Sequence, residues 1–284
     1  SVTAAFCGRD GRWPPYLSGE DGYVKVLQSL CKGIIRTAAA LRSARPDAVL
    51  VHVEDIGLEH PGSTDLAEAA QFAQARRWLP LDLACGRTTP DHPLHPWLLE
   101  HGATEAELDS LAASAPRWDV LGVNYYPWTS RRLVRRRDGR VRSVADSPPS
   151  GLAEVLRLVH GRYGRPVMVT ETSSTGTHAE RALWLRETLA AVRQARAGRV
   201  PVVGYTWFPL FTMIEWKYRW SRRGLEDHLL HLGLFDVRSC APGRMDREPT
   251  PLVEGYQRII AEPAAAIGEW ADPAEAAAPA GLVA

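Results

Sequence analysis

The stretch PVMVTETSST (residues 166–175) runs apolar and β-branched up to a carboxylate, Glu171, and then into hydroxyl side chains. Nothing in the packing of a buried strand calls for a charge at its tip, because an ionised carboxylate is costly to take out of water. Three more stretches share this build. DAVLVHVED (47–55) ends on Glu54 and Asp55, and WDVLGVNYY (118–126) ends on Asn124, Tyr125 and Tyr126. VPVVGYTWFPL (200–210) ends on Trp207 and Phe208, with Glu215 and Trp216 just beyond. Each is a continuous apolar run rather than an alternating one, as a strand covered on both faces requires.

Between these runs apolar residues recur at helical spacing. Val26, Leu27, Leu30, Ile34, Ile35, Ala38 and Leu41 mark a helix from Tyr23 to about Ser43. Further helices are expected over 65–79, 104–113, 150–161 and about 250–261, and another begins at Thr177, where Glu180 completes a capping box. Residues 1–21 read as a Gly- and Pro-rich loop, TTPDHPLHP (88–96) as an ordered loop, and RRLVRRRDGRVRSV (131–144) as a polar hairpin turning at Asp138-Gly139. Strand and helix alternate as in an α/β protein with a parallel sheet. A closed (β/α)8 TIM barrel has eight strands in ~250 residues. The pattern here supplies four, so a partial barrel is expected over residues 1–262. The Ala- and Pro-rich tail, 263–284, is expected to be disordered.

The totals exclude several classes. The 284 residues carry a formal net charge of +1, so no global field favours nucleic acid or an acidic membrane. No apolar run approaches the ~20 residues that span a bilayer. Cys7, Cys31, Cys85 and Cys240 are widely spaced, which argues for reduced thiols in a cytoplasmic protein rather than a disulfide or metal framework. Ten tryptophans suit a sugar cleft, although packing accounts for most such rings.

In parallel α/β architectures the carboxyl ends of the strands form the active face. Carboxylates and aromatics around one mouth suggest glycoside hydrolysis, in which two Asp or Glu side chains flank the scissile bond. The resemblance then becomes specific. LGVNYY (121–126), VTET (169–172), GYTWFPLFTMIEW (204–216) and GLFDV (233–237) resemble, in order and rough spacing, motifs of family 1 glycoside hydrolases, the retaining β-glucosidase type. The resemblance extends over roughly residues 1–262 and implies barrel strands five to eight, the C-terminal half only. By it, Glu171 matches the nucleophile, and Tyr126 the tyrosine that hydrogen-bonds that nucleophile. Asn124 matches an asparagine of the site, Glu215 the glutamate that binds sugar hydroxyls, and Trp216 the adjacent tryptophan. The stacking ring falls on Phe208, with Trp207 one place early. No cofactor or metal is implied, and the partner is a small glycoside or oligosaccharide.

The departures bear on specificity. Thr172 stands where the family has Asn, and Thr212-Met213 where it has Asp-Asn. The family's acid/base lies in an N-E-P motif, which this sequence lacks. SVTAAFCGRDGRWPP (1–15) resembles the text that follows that motif, so the acid/base Glu is expected upstream of Ser1. Glu54 and Asp55 are the in-chain candidates for a substitute. The alternative is a truncated, inactive glycosidase or a carbohydrate-binding relic. The open sheet edges of a half barrel invite a homodimer. Asp91-His92…His95 and Asp227-His228…His231 lack a full ligand set and read as loop histidines. The seven arginines of 131–142 have no interleaved aromatics and read as a solvated hairpin rather than a nucleic-acid surface.

Overall fold

The computed structural model describes residues 2–241 and 244–267. The chain forms two compact units, residues 1–121 with 130–145 and residues 122–129 with 146–284.

In the first unit α1 (Val2–Ala4) runs straight into a π-helical turn (Ala5–Arg9). The opening residues, expected as loop, are therefore helical. Burial explains it: Ala4 and Cys7 lie in the core with Tyr23, Val24 and Leu27. The long helix expected from Tyr23 is α2 (Gly19–Ala44), which starts a turn earlier. Its apolar side packs with Leu79 and Leu83 of α3 (Ala67–Ala84), Leu98 of α4 (His95–Glu100), and Leu108 and Leu111 of α5 (Glu105–Ser114). The Thr104–Glu107 capping box fixes the start of α5. The strands are β1 (Val51–Asp55), β2 (Glu59–Pro61), the first half of β3 (Val120–Asn124), β4 (Arg131–Arg135) and β5 (Val141–Ala145). β4 and β5 are the expected arginine hairpin, and β2, too short to read from sequence, pairs with β4 in parallel.

The second unit holds the end of β3, then α6 (Gly151–Tyr163), β6 (Val167–Thr172), α7 (His178–Ala197) and β7 (Val202–Trp207). The four apolar runs form one sheet of order β1-β3-β6-β7, and β6 and β7 pair in parallel. With helices alternating between strands, this is a partial (β/α)8 barrel. Leu152, Val155, Leu156 and Val159 of α6 and Leu185, Leu189 and Val192 of α7 are buried, as are Val167, Val169 and Val202 of the strands. Each such side chain contributes roughly 1.5–3 kcal/mol on leaving water. The Thr177–Glu180 capping box opens α7 as expected.

The β6–β7 ladder is irregular at its end. Val169 pairs with Tyr205 and Thr172 with Trp207, so three steps of β6 oppose two of β7. The extra residue is a bulge, which bends a strand and re-aims its side chains. Val167 and Val169 are buried, Met168 and Thr170 partly open; Glu171 is also partly open, and burial resumes at Thr172. Strict alternation would have turned Glu171 to the side of Val167 and Val169.

Beyond β7 come β8 (Met213–Ile214), β9 (Leu229–Leu230), β10 (Phe235–Ala241), β11 (Arg244–Pro249), α8 (Leu252–Ala261) and α9 (Pro263–Ile267). β8 pairs with β9 and β10 with β11, both antiparallel. None of the four was expected, since two are dipeptides and two are rich in charge. The tail expected to be disordered from residue 263 begins as α9, which is tied down by Arg193 Nη1 donating to the Ala266 carbonyl at 2.7 Å. Residues 268–284 of that tail lie outside the described residues.

Candidate active site

β3 delivers the first part of the site. Successive strand side chains alternate in direction, so Asn124 and Tyr126 share one side and Tyr125 takes the other. Tyr125 is fully buried, its ring stacked near that of Trp184 at 6.1 Å, with its hydroxyl donating to the Pro148 carbonyl at 2.7 Å. Its backbone N–H donates to the carbonyl of Glu171 at 2.9 Å, which sets the tips of β3 and β6 side by side.

Three expected residues meet across that junction. Tyr126 donates its hydroxyl to Glu171 Oε2 at 2.7 Å. Thr170, one residue before Glu171, donates to Asn124 Oδ1 at 2.7 Å. Thr172, the departure from the family's Asn, is fully buried and accepts from Trp184 Nε1 at 2.9 Å. Its hydroxyl therefore belongs to the packing under the site. The arrangement leaves Glu171 partly exposed, with one carboxylate oxygen accepting from a phenol, a setting in which a carboxylate can serve as a nucleophile.

Sequence could not choose between Trp207 and Phe208. Trp207 is only 5% exposed and donates from Nε1 to the Leu232 carbonyl at 3.0 Å, so it packs inward. Phe208 is the exposed ring of the pair, and its N–H donates to the Thr172 carbonyl at 3.1 Å. Trp128, which sequence reasoning missed, is exposed and stacks face to face on Tyr126, with centroids 5.0 Å apart and an interplanar angle of 4°. Its signal was its place two residues beyond Tyr126.

Glu215 and Trp216 follow β8. The Glu215 N–H donates to the His228 carbonyl at 2.7 Å. Lys217 Nζ lies 3.0 Å from Glu215 Oε1, and His228 Nδ1 lies 3.5 Å from Oε2. The Lys217 ammonium, and after it His228, hold this carboxyl below its usual range. Trp216 is exposed. In the first unit Asp55, at the tip of β1, lies 3.9 Å from Arg77, and its N–H donates to Glu54 Oε1 at 3.1 Å. His92 is a buried partner of Asp82 at 3.2 Å, and His95 pairs with Glu105 at 3.1 Å. Among the described residues no three His, Cys, Asp or Glu side chains gather as a metal cluster. No helix among them is long and apolar enough to cross a membrane.

No protein-family model and no curated protein matches the sequence. Solved structures do match the fold. The β-glucosidase from Thermotoga maritima in complex with noeuromycin aligns with a TM-score of 0.76 at 19% identity, over 92% of this chain and 61% of its own. The family 1 β-glucosidase from the same organism aligns with a TM-score of 0.76 at 18% identity, over 95% of this chain and 62% of its own. The complex of that β-glucosidase with glucoimidazole gives a TM-score of 0.76 at 18% identity. The chain thus spans about three fifths of the length of the structures it matches.

Proposed function

We propose that this chain carries the nucleophile side of a retaining β-glycosidase. The observation that bears the reading is the 2.7 Å hydrogen bond from Tyr126 to Glu171 at the carboxyl end of two adjoining barrel strands. Glu171 attacks the anomeric carbon of a small β-glycoside and forms a covalent glycosyl-enzyme, while a second carboxyl protonates the leaving oxygen. The same carboxyl then activates water to release the sugar. The four strands are read as the fifth to eighth of the barrel. Asn124 and Glu215 bind sugar hydroxyls, and Phe208, Trp216 and Trp128 supply rings for the sugar faces.

An activated 2-fluoroglucoside tests this, because its leaving group needs no acid. One sugar mass added at Glu171, absent in Glu171→Gln, supports the reading. Labelling elsewhere, or its persistence in Glu171→Gln, sinks the nucleophile assignment. No labelling despite saturable glucoimidazole binding makes the chain a sugar binder without catalysis.

A further inference from the structure

The motif GLFDV (233–237) has no part in the chemistry above, yet its aspartate is held by several partners. Asp236 accepts from Arg181 Nη1 at 2.8 Å and Nη2 at 2.9 Å, a bidentate pair. Arg181, 1% exposed on the first turns of α7, also donates to the Gly233 carbonyl at 2.9 Å. His178 Nε2 reaches Asp236 at 2.8 Å and His231 Nδ1 reaches it at 3.5 Å.

The other end of this network runs toward Glu215. His231 Nδ1 shares a hydrogen bond with Thr212 Oγ1 at 3.0 Å, and that hydroxyl accepts the Val237 N–H at 3.0 Å. The backbones zip alongside: Thr212 N–H to the Phe235 carbonyl at 3.1 Å, Phe235 N–H to the Leu210 carbonyl at 3.0 Å, and Glu215 N–H to the His228 carbonyl. A side chain at Gly233 would press into this seam, its Cβ 2.6 Å from the Phe211 carbonyl carbon. Thr212 is thus the residue whose side chain joins residues 210–215 to both His231 and Val237, and Asp236 fixes the segment carrying those two to α7.

We infer that Asp236 is a positioning residue for Glu215, anchoring through Arg181, His231 and Thr212 the strip that presents the sugar-binding carboxylate. The role deepens the glycosidase reading and rests on it for the sugar; the anchoring itself does not. Thr212, where the family has Asp, becomes the coupling group.

The test uses the whole chain. Arg181→Met/Asp236→Leu replaces a buried ion pair by apolar groups of similar volume, an exchange that commonly leaves stability unchanged. Thr212→Val removes only the coupling hydroxyl. Expected for both variants is an unchanged thermal midpoint with faster amide exchange at residues 211–216, roughly tenfold or more in the double variant. Glucoimidazole binding weakens by roughly tenfold to a hundredfold, whereas the labelling rate of Glu171 at saturating 2-fluoroglucoside holds. Wild-type exchange and affinity in both variants overturn the inference. If the double variant fails to fold, Thr212→Val decides alone. The exchange measurement needs no ligand, so a wild-type chain that never labels at Glu171 sinks the glycosidase reading while the anchor is still judged.

Discussion

Two carboxylates flank the start of α7, and they are built oppositely. Glu171 stands partly open at the tip of β6 with a single phenolic donor on one oxygen. Asp236 is buried, both oxygens taken by Arg181 and by histidines. Arg181, followed by His178, holds the Asp236 carboxyl at a pKa of about 2 despite its burial. On the proposed reading Glu171 forms and breaks a covalent bond and needs a free lone pair, whereas Asp236 fixes a loop and needs none. Removing Glu171 should therefore cost chemistry and leave the fold intact, while removing Asp236 should cost the fold.

The largest expected effect is on Glu171→Gln, which loses at least about 10³-fold in glycoside turnover or labelling with an unchanged urea midpoint. Loss of stability instead would erase the contrast. Asp236→Asn leaves Arg181 buried and undercompensated, so urea titration should show a loss of ~3–5 kcal/mol. A value near zero would mean that the network opens to water. Tyr126→Phe removes a hydrogen bond to a charged group worth ~1.5–3 kcal/mol, read as roughly tenfold to hundredfold slower labelling of Glu171. The smallest effect is in pH. Because the Asp236 pKa is depressed on folding, its contribution is complete above the ordinary carboxylate range near pH 4 and is lost as pH falls through about 2. Thermal unfolding between pH 5 and 2 should show this loss of roughly 2 kcal/mol, and Asp236→Asn should flatten the profile in that window.

Much of this was legible beforehand for one reason: strand runs and their tips are local. That Glu171, Tyr126 and Asn124 come together was readable because a parallel sheet puts every strand's carboxyl end on one face, while their roles came from the family resemblance. The choice between Trp207 and Phe208 was not, because it turns on which side of β7 each ring takes as the strand ends. The helical start at Val2–Ala4 was missed because its apolar residues find their partners in α2. Arg181 and Asp236, 55 residues apart, were missed because each is ordinary alone. One signal was present: Arg181 falls on the stripe of Trp184, Leu185, Thr188 and Leu189, all buried, where a solvated arginine has no place.

The bulge at the end of β6 has a further consequence, in the currency of insertions and deletions. Substitutions along Val167–Thr172 alter side chains one at a time, but a change of length alters the parity of everything that follows. The bulge is what makes the present length fit: in a regular β6 of the same length Glu171 would point to the side of Val167 and Val169, and Thr172 to the other. A strand can keep its apolar composition and its glutamate and still lose the site, so in relatives of this chain the length from Val167 to Glu171 is to be compared together with the bulge.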